Sequence, residues 1–204
     1  MPFELLLSAF ISLFVVVDPF GTAAVFAALT QKVGADEKRK VAVKGAMLAI
    51  IILTGFCLVG HWLLQYMHVS LSAFRVAGGL LLFVTAFRMI MGFHDPDQLN
   101  SEKSTYKDLS NMAVFPLAIP LLAGPGTMTA ALMFTTAAQN VFEYVLVILT
   151  IVAVELMALG SLLGASALNR FFGPTGNGII ARVMGILLAA MAVQFVADGL
   201  KELM

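Results

Sequence analysis

Two short segments place a proline next to a polar residue or a glycine inside a long apolar run. Asp18-Pro19 lies in VVVDPFGTAAVF, and Gly124-Pro125-Gly126-Thr127 lies in LLAGPGTMTA. Proline removes a helical N–H donor and disfavours the α conformation in the preceding residue, so each segment predicts an interrupted helix. A helix that begins after the interruption turns its N–H groups and the positive end of its dipole toward the break, where a carboxylate can bind. The N–H groups expected to be free are those around Phe20, Gly21 and Thr22 at the first break and those of residues 126–128 at the second.

The first break predicts separate roles for its residues. Asp18 is expected to cap the helix that begins at Pro19. Free carbonyls at positions 15–17 could then accept from an ammonium group or bind a cation. The predicted substrate-binding residues of both breaks are Asp18, Pro19, Phe20, Gly21, Thr22, Gly124, Pro125, Gly126, Thr127 and Met128. The alternative is that each proline only kinks a packed helix.

A further carboxyl group lies in the middle of another apolar run, at Glu155 in IVAVELMALG. A charged side chain at the centre of a membrane helix costs at least about 2.5–3.5 kcal/mol unless it is neutralised, paired or hydrated. Asp18 and Glu155 are therefore the candidates for carrying a coupling proton or ion. The alternative for Glu155 is a protonated side chain that is hydrogen-bonded between helices. Arg75, Arg88 and Arg182 lie near the ends of apolar runs and are expected mainly to anchor them.

The elements that must position these residues are membrane helices. Of the 204 residues 60% are apolar and only 12% are charged, whereas soluble domains carry about 25% charged residues. About 20 apolar residues cross a bilayer. The apolar runs therefore predict an all-α polytopic membrane protein with six spans, at 3–30, 43–67, 71–91, 112–137, 144–168 and 178–199. Six spans leave no room for a soluble catalytic domain, and we expect no enzyme activity.

The two halves of the chain resemble each other. Arg75-Val76-Ala77-Gly78 recurs as Arg182-Val183-Met184-Gly185, and the two breaks fall at matching places. We therefore predict three-helix repeats at 1–93 and 112–204, joined by a polar loop at 94–111, with helices 1 and 4 broken. Since three spans is an odd number, the second repeat enters the membrane inverted. Inverted repeats of transporters place the binding site near the midplane, at the repeat interface.

Charge and residue types exclude several other classes. The 12 basic and 12 acidic residues give no net charge, so no nucleic-acid partner is expected. Cys57 is the single cysteine and His61, His68 and His94 are the only histidines, so we predict neither a metal nor another cofactor. Basic residues gather in the first, third and fifth connections, which predicts a cytoplasmic location for these connections and an extracytoplasmic location for both termini.

The motifs DPFGTAAVF, SAFRVAGGLLLFVTAFRMI, FPLAIPLLAGPGTM and IIARVMGILLAAMAVQF resemble those of the MarC/SnatA family of inner-membrane proteins. This resemblance runs from the first helix to the last. It implies ion-coupled transport of small neutral amino acids such as glycine and alanine, across the cell's cytoplasmic membrane. Glu155 belongs to no motif of that resemblance.

Together these observations predict a secondary active transporter with a midplane site between the first and fourth spans. Its expected partners are a small neutral amino acid, a coupling proton or sodium ion and the lipid bilayer, and its small-residue helix faces permit a homo-oligomer. One alternative is a channel or exporter for another small solute that uses the same breaks as a filter. Another is a membrane scaffold that transports nothing.

Overall fold

The computed structural model describes residues 2–30, 33–91 and 112–204, and these residues form helices joined by short connections. No strand occurs among them. In chain order the helices are α1 (Pro2–Val17), α2 (Pro19–Leu29), α3 (Ala35–Tyr66), α4 (Leu71–Met91), α5 (Ala113–Leu122), α6 (Pro125–Ala137), α7 (Val141–Leu163) and α8 (Ala165–Leu203). The short element α5 is π-helical and contains extended backbone at Phe115 and Ile119.

The number and length of these helices fit a membrane protein. Within the described residues, five helical segments are long and apolar enough to cross a bilayer, with α1 and α2 together forming the first. A sixth span results if α5 and α6, which are bent by 54° at their junction, count as one. The predicted all-α polytopic class is therefore confirmed. The loop predicted at 94–111 lies outside the described residues, and the domain boundaries on either side of it stay predictions.

Some helix boundaries differ from those predicted from the apolar runs. The second span begins at Ala35 and not at position 43, because helix α3 extends beyond its apolar part. Asp36 and Glu37 occupy its first turn, where acidic side chains interact favourably with the helix dipole. At the other end of the chain, α7 ends at Leu163 and not at position 168. The connection predicted between 168 and 178 contains a kink of α8 at Gly173, which has a φ of 64°, and the last candidate span begins at Gly178, as predicted.

Large apolar residues lie on the protein surface and small residues lie in the helix contacts, as is typical of proteins surrounded by lipid. Large apolar side chains such as Ile51, Leu58 and Trp62 are exposed at the protein surface. The buried face of α3 carries small residues instead, since Ala42, Ala46 and Ala49 are fully buried. Small residues allow helix backbones to approach each other closely in a membrane, where lipid solvates large apolar side chains well.

Helices α4 and α8 form the third span of the first and second half of the chain, respectively. They pack against each other more extensively than any other described pair of helices. Glycines lie at the closest points, each facing a backbone carbonyl of the other helix: Gly79 faces Ala192, Gly185 faces Ala86, and Gly199 faces Ser72. A Cβ atom would lie 2.8 Å from that oxygen at Gly79 and Gly199, and 3.2 Å from it at Gly185. We call this contact the glycine seam.

The glycine seam also shows the relative direction of the two helices. As the residue number rises along α4 in the three pairs, it falls along α8, so these helices run antiparallel. An inverted repeat requires this relation between the third helices of its halves. The inverted repeat itself stays a prediction.

Candidate functional site

Asp18 stands alone between α1 and α2, in the left-handed conformation with a φ of 45°. Its side-chain Oδ1 accepts a hydrogen bond of 3.1 Å from the N–H of Gly21, and Pro19 is the first residue of α2. Asp18 thus caps this helix, as predicted. A Cβ at Gly21 would overlap the Asp18 carboxylate, so a larger residue at this position would displace the cap. The DPFG segment therefore fixes the position of this carboxylate by local interactions.

The first interruption leaves fewer backbone groups without a hydrogen-bond partner than the sequence suggested. The N–H of Asp18 donates to the Phe14 carbonyl over 3.0 Å, and the N–H of Thr22 donates to the Asp18 carbonyl over 2.9 Å. The Thr22 hydroxyl also donates to the Val17 carbonyl, over 2.9 Å. The prediction that Gly21 and Thr22 present free N–H groups was therefore wrong, because Asp18 accepts from both of them. The Val17 carbonyl is likewise already engaged.

The second interruption, between α5 and α6, has no side-chain cap. Gly124 occupies the N-cap position with extended backbone, and Pro125 follows as the first helical residue. The N–H of Met128 donates to the Gly124 carbonyl over 2.9 Å, so Met128 is not a free donor as predicted. The N–H groups of Gly126 and Thr127 lie in the first turn, where the helix itself supplies no acceptor. They remain the donors that this break offers to a ligand.

Both interruptions border one cavity of about 520 Å³. Eight of the ten predicted binding residues line it, namely Asp18, Phe20, Gly21, Thr22, Gly124, Pro125, Gly126 and Thr127. The other two, Pro19 and Met128, are not among its lining residues. The fold thus brings together two segments that lie about a hundred positions apart in the sequence. Their role in binding stays a prediction.

The cavity also contains residues that sequence reasoning did not select. One face of α4 contributes Thr85, Arg88 and Met89, and α8 contributes Ala181 and further apolar residues. The sequence suggested that Arg88 is an interfacial anchor, whereas the structure places it on the cavity wall. Its spacing from Thr85 and Leu81 puts all three on one helix face, but only the tertiary packing shows which face borders the cavity.

Glu155 does not line the cavity. It lies in α7 with no exposed surface, and neither carboxyl oxygen has a hydrogen-bond partner among the described residues. The interhelical hydrogen bond considered from the sequence is therefore not formed there. Arg75 also differs from a simple anchor, because its guanidinium pairs with the carboxylate of Glu202 and so joins the start of α4 to the end of α8.

The whole chain matches one known family. The profile of MarC family integral membrane proteins matches residues 3–204. The chain belongs to the MarC family. A UPF0056 membrane protein of Methanocaldococcus jannaschii is 36% identical over 98% of both chains. The UPF0056 membrane protein YvbG of Bacillus subtilis is 31% identical over 98% of this chain and 96% of its own length. No solved structure matches the chain.

Family membership establishes this MarC protein as an integral, multi-pass membrane protein. The names of the relatives state that they are membrane proteins and give no substrate. The chemistry of the cavity therefore carries the functional reasoning. Its wall combines one carboxylate (Asp18), one guanidinium (Arg88) and the uncapped N–H groups of α6, in otherwise apolar or small-residue surroundings.

Proposed function

We propose that this MarC family protein is a secondary active transporter of small neutral amino acids. The observation that supports this proposal most directly is the single cavity that both helix interruptions line. Transporters of many folds bind small solutes where broken helices meet. A cavity of about 520 Å³ also lies in the ordinary size range of small-molecule sites.

The cavity offers groups that complement a zwitterion. A substrate carboxylate can accept from the N–H groups of Gly126 and Thr127 and interact with the positive dipole end of α6. Arg88 adds a positive charge on the same wall. Asp18 supplies the negative charge for an ammonium group. Glycine, alanine and threonine account for seven of the fifteen lining residues that the two interrupted spans contribute, which leaves room for a small substrate side chain.

Transport additionally requires that the site open to each side of the membrane in turn. We propose that the two halves rock about the cavity, driven by a proton or sodium gradient across the cytoplasmic membrane. Asp18 and Glu155 are the candidate carriers of the coupling charge. The basic residues at the start of α3, Lys38, Arg39 and Lys40, support a cytoplasmic location for that end and an extracytoplasmic location for both termini.

Uptake of labelled glycine or alanine into proteoliposomes tests the proposal. We expect saturable uptake of both, stereoselective uptake of alanine, and accumulation above the outside concentration when an inward proton or sodium gradient is imposed. Uptake that neither saturates nor accumulates would instead indicate a channel. No uptake by folded protein, for any amino acid and either gradient, would refute the amino-acid proposal.

A pair of threonine variants connects the flux to the cavity. Thr127 is almost fully buried and lines the cavity, whereas Thr150 lies in α7 away from it and donates only to the Leu146 carbonyl. Thr127→Val removes one hydroxyl beside the proposed substrate, so we expect KM to rise roughly 2- to 12-fold, the equivalent of one hydrogen bond. Thr150→Val serves as the control and should leave KM unchanged.

A further inference from the structure

Among the described residues, the buried side-chain polar atoms without a hydrogen-bond partner are Thr54 Oγ1, Arg75 Nε and both oxygens of Glu155, which is the only carboxyl group of this set. The Asp18 carboxylate accepts from Gly21, and the buried hydroxyls of Thr22, Thr30 and Thr135 donate to backbone carbonyls. Glu155 is equally buried, with no exposed surface, but neither carboxyl oxygen has a hydrogen-bond partner there. A polar group without a partner inside a protein is costly, and a charged one is far more so.

Among the residues that the structure describes, no opposite charge pairs with Glu155. Helix α7 packs against α1, α2, α3, α6 and α8. In the sequences of α2 and α6 there is no ionisable residue, and α1 has only Glu4, in its first turn. The ionisable residues of the other two helices lie mostly toward their ends and are Asp36, Glu37, Lys38, Arg39, Lys40, Lys44, Cys57, His61 and Tyr66 in α3, and Arg170, Arg182, Asp198, Lys201 and Glu202 in α8. None of the described ones forms an ion pair or hydrogen bond with Glu155.

The surroundings of Glu155 fit a proton better than a metal cation. A cation such as sodium needs several oxygen ligands, which transporters supply from unwound backbone and polar side chains. Helix α7 is continuous through Glu155, so its carbonyls there are used within the helix. Within the described residues no group of three or more histidine, cysteine, aspartate or glutamate side chains could hold a metal ion. A proton needs only the carboxylate itself.

From this geometry we propose that Glu155 is the proton-binding site that couples transport to a proton gradient, an inference that rests on the proposed transport function. In the closed packing seen here the side chain is the neutral acid. Releasing its proton leaves a carboxylate, which requires water to enter between α7 and its neighbours. Proton release and the opening of this packing are therefore thermodynamically linked, each favouring the other.

The position of α7 connects this proton site to the cavity without direct contact. The helix packs against both α1 and α2, which are the two parts of the interrupted first span. Water that enters between α7 and either of these helices would change the packing on one side of Asp18. The proposed substrate and the proton can thus act on the same interrupted span.

Comparison of exchange with accumulation in proteoliposomes tests the inference. Glu155→Gln imitates the neutral acid and cannot ionise. We expect this variant to exchange internal for external labelled alanine at a rate close to that of the wild type, and to lose roughly tenfold or more of the accumulation driven by a proton gradient. Glu143→Gln, which changes another carboxyl group of the same helix, should preserve both activities.

Two further experiments keep the test decisive. Glu155→Met removes the polar atoms altogether and should fold, exchange substrate and fail to accumulate it, like Glu155→Gln. Infrared difference spectroscopy of the wild type should show the carbonyl band of a protonated carboxylic acid that is absent from Glu155→Gln. This readout needs no transport, so it separates failure of the proton site from failure of the amino-acid proposal.

The opposite results would overturn the proton assignment. They are gradient-driven accumulation retained in Glu155→Gln, exchange lost together with accumulation in both folded variants, or a wild-type infrared spectrum without the band. Loss of coupling in Asp18→Asn alone would place the proton at Asp18 instead.

Discussion

Gly126 lies at the second interruption, and its lack of a side chain can be tested quantitatively. A Cβ atom at this position would overlap the side chain of Leu82 in α4, and Leu82 is itself buried. Gly126→Ala should therefore push α4 and α6 apart. Inserting one methyl group into a packed core costs about 1–3 kcal/mol. In a chain of this size that cost corresponds to a lower Tm by roughly 2–12 °C.

Thermal unfolding can be followed with the protein's own cysteine. Cys57 is the only cysteine of the chain and is almost fully buried, so a thiol-reactive dye labels it when the fold opens. Gly55→Ala is the matched control, because a Cβ at Gly55 in α3 would meet nothing within 4 Å. This control should be neutral, or stabilising by up to about 1 kcal/mol because alanine favours the helix.

A double variant identifies the cause of the loss. Leu82→Ala alone should cost about 2–5 kcal/mol, because it leaves a cavity. It also removes the side-chain atoms nearest to the added Cβ. The double variant Leu82→Ala with Gly126→Ala should therefore be more stable than the sum of the two losses predicts, by about 0.5–3 kcal/mol. Equal Tm values for Gly126→Ala and Gly55→Ala, or strict additivity in the double variant, would refute the packing explanation.

Three other variants test single contacts by the same unfolding assay. Asp18→Ala should lower stability by about 1 kcal/mol through loss of the α2 cap, whereas Asp18→Asn, which can still accept from the helix N–H, should retain most of it; equal losses would contradict the capping role. Tyr144→Phe removes the 3.0 Å hydrogen bond from its hydroxyl to the Cys57 carbonyl and should cost about 0.5–1.5 kcal/mol, so an unchanged Tm would show this bond to be dispensable. Arg75→Gln breaks the pair with Glu202, whose side chain is 49% exposed. The free energy of unfolding should therefore fall by less than about 1 kcal/mol, and by less still in high salt. A large, salt-independent loss would indicate that Arg75 contributes mainly through packing.

The sequence predicted those features that depend on local chemistry. Proline after Asp18 and between Gly124 and Gly126 interrupts hydrogen bonding wherever it occurs in a helix, so both interruptions could be located from the residues alone. The capping role of Asp18 followed for the same reason. Local reasoning was incomplete at Gly21 and Thr22, because the side chain and carbonyl of Asp18 satisfy both N–H groups.

Features that depend on tertiary packing could not be predicted in this way. An arginine near the end of an apolar run suits an anchor as well as a cavity wall, and only the packing of α4 distinguishes these for Arg88. The start of α3 at Ala35 was missed because an apolar run marks the part of a helix inside lipid, whereas the helix itself continues into water. The missing partner of Glu155 likewise depends on which residues the neighbouring helices bring close to it.

The glycine seam between α4 and α8 allows a particular kind of motion. Where helices interlock through large side chains, any displacement along their axes requires many rotamer changes. At Gly79, Gly185 and Gly199 one helix contributes no side chain to the contact, whereas the other contributes a backbone carbonyl together with side-chain atoms of Val196, Ile90 and Val76, respectively. Fewer side chains must therefore change rotamer when the helices shift, and such an antiparallel contact suits a shear movement, in which packed helices slide past each other by small distances. Bulky residues at these three positions would hold the helices in one register. The lack of side chains there therefore permits small movements of α4 along α8 within the membrane.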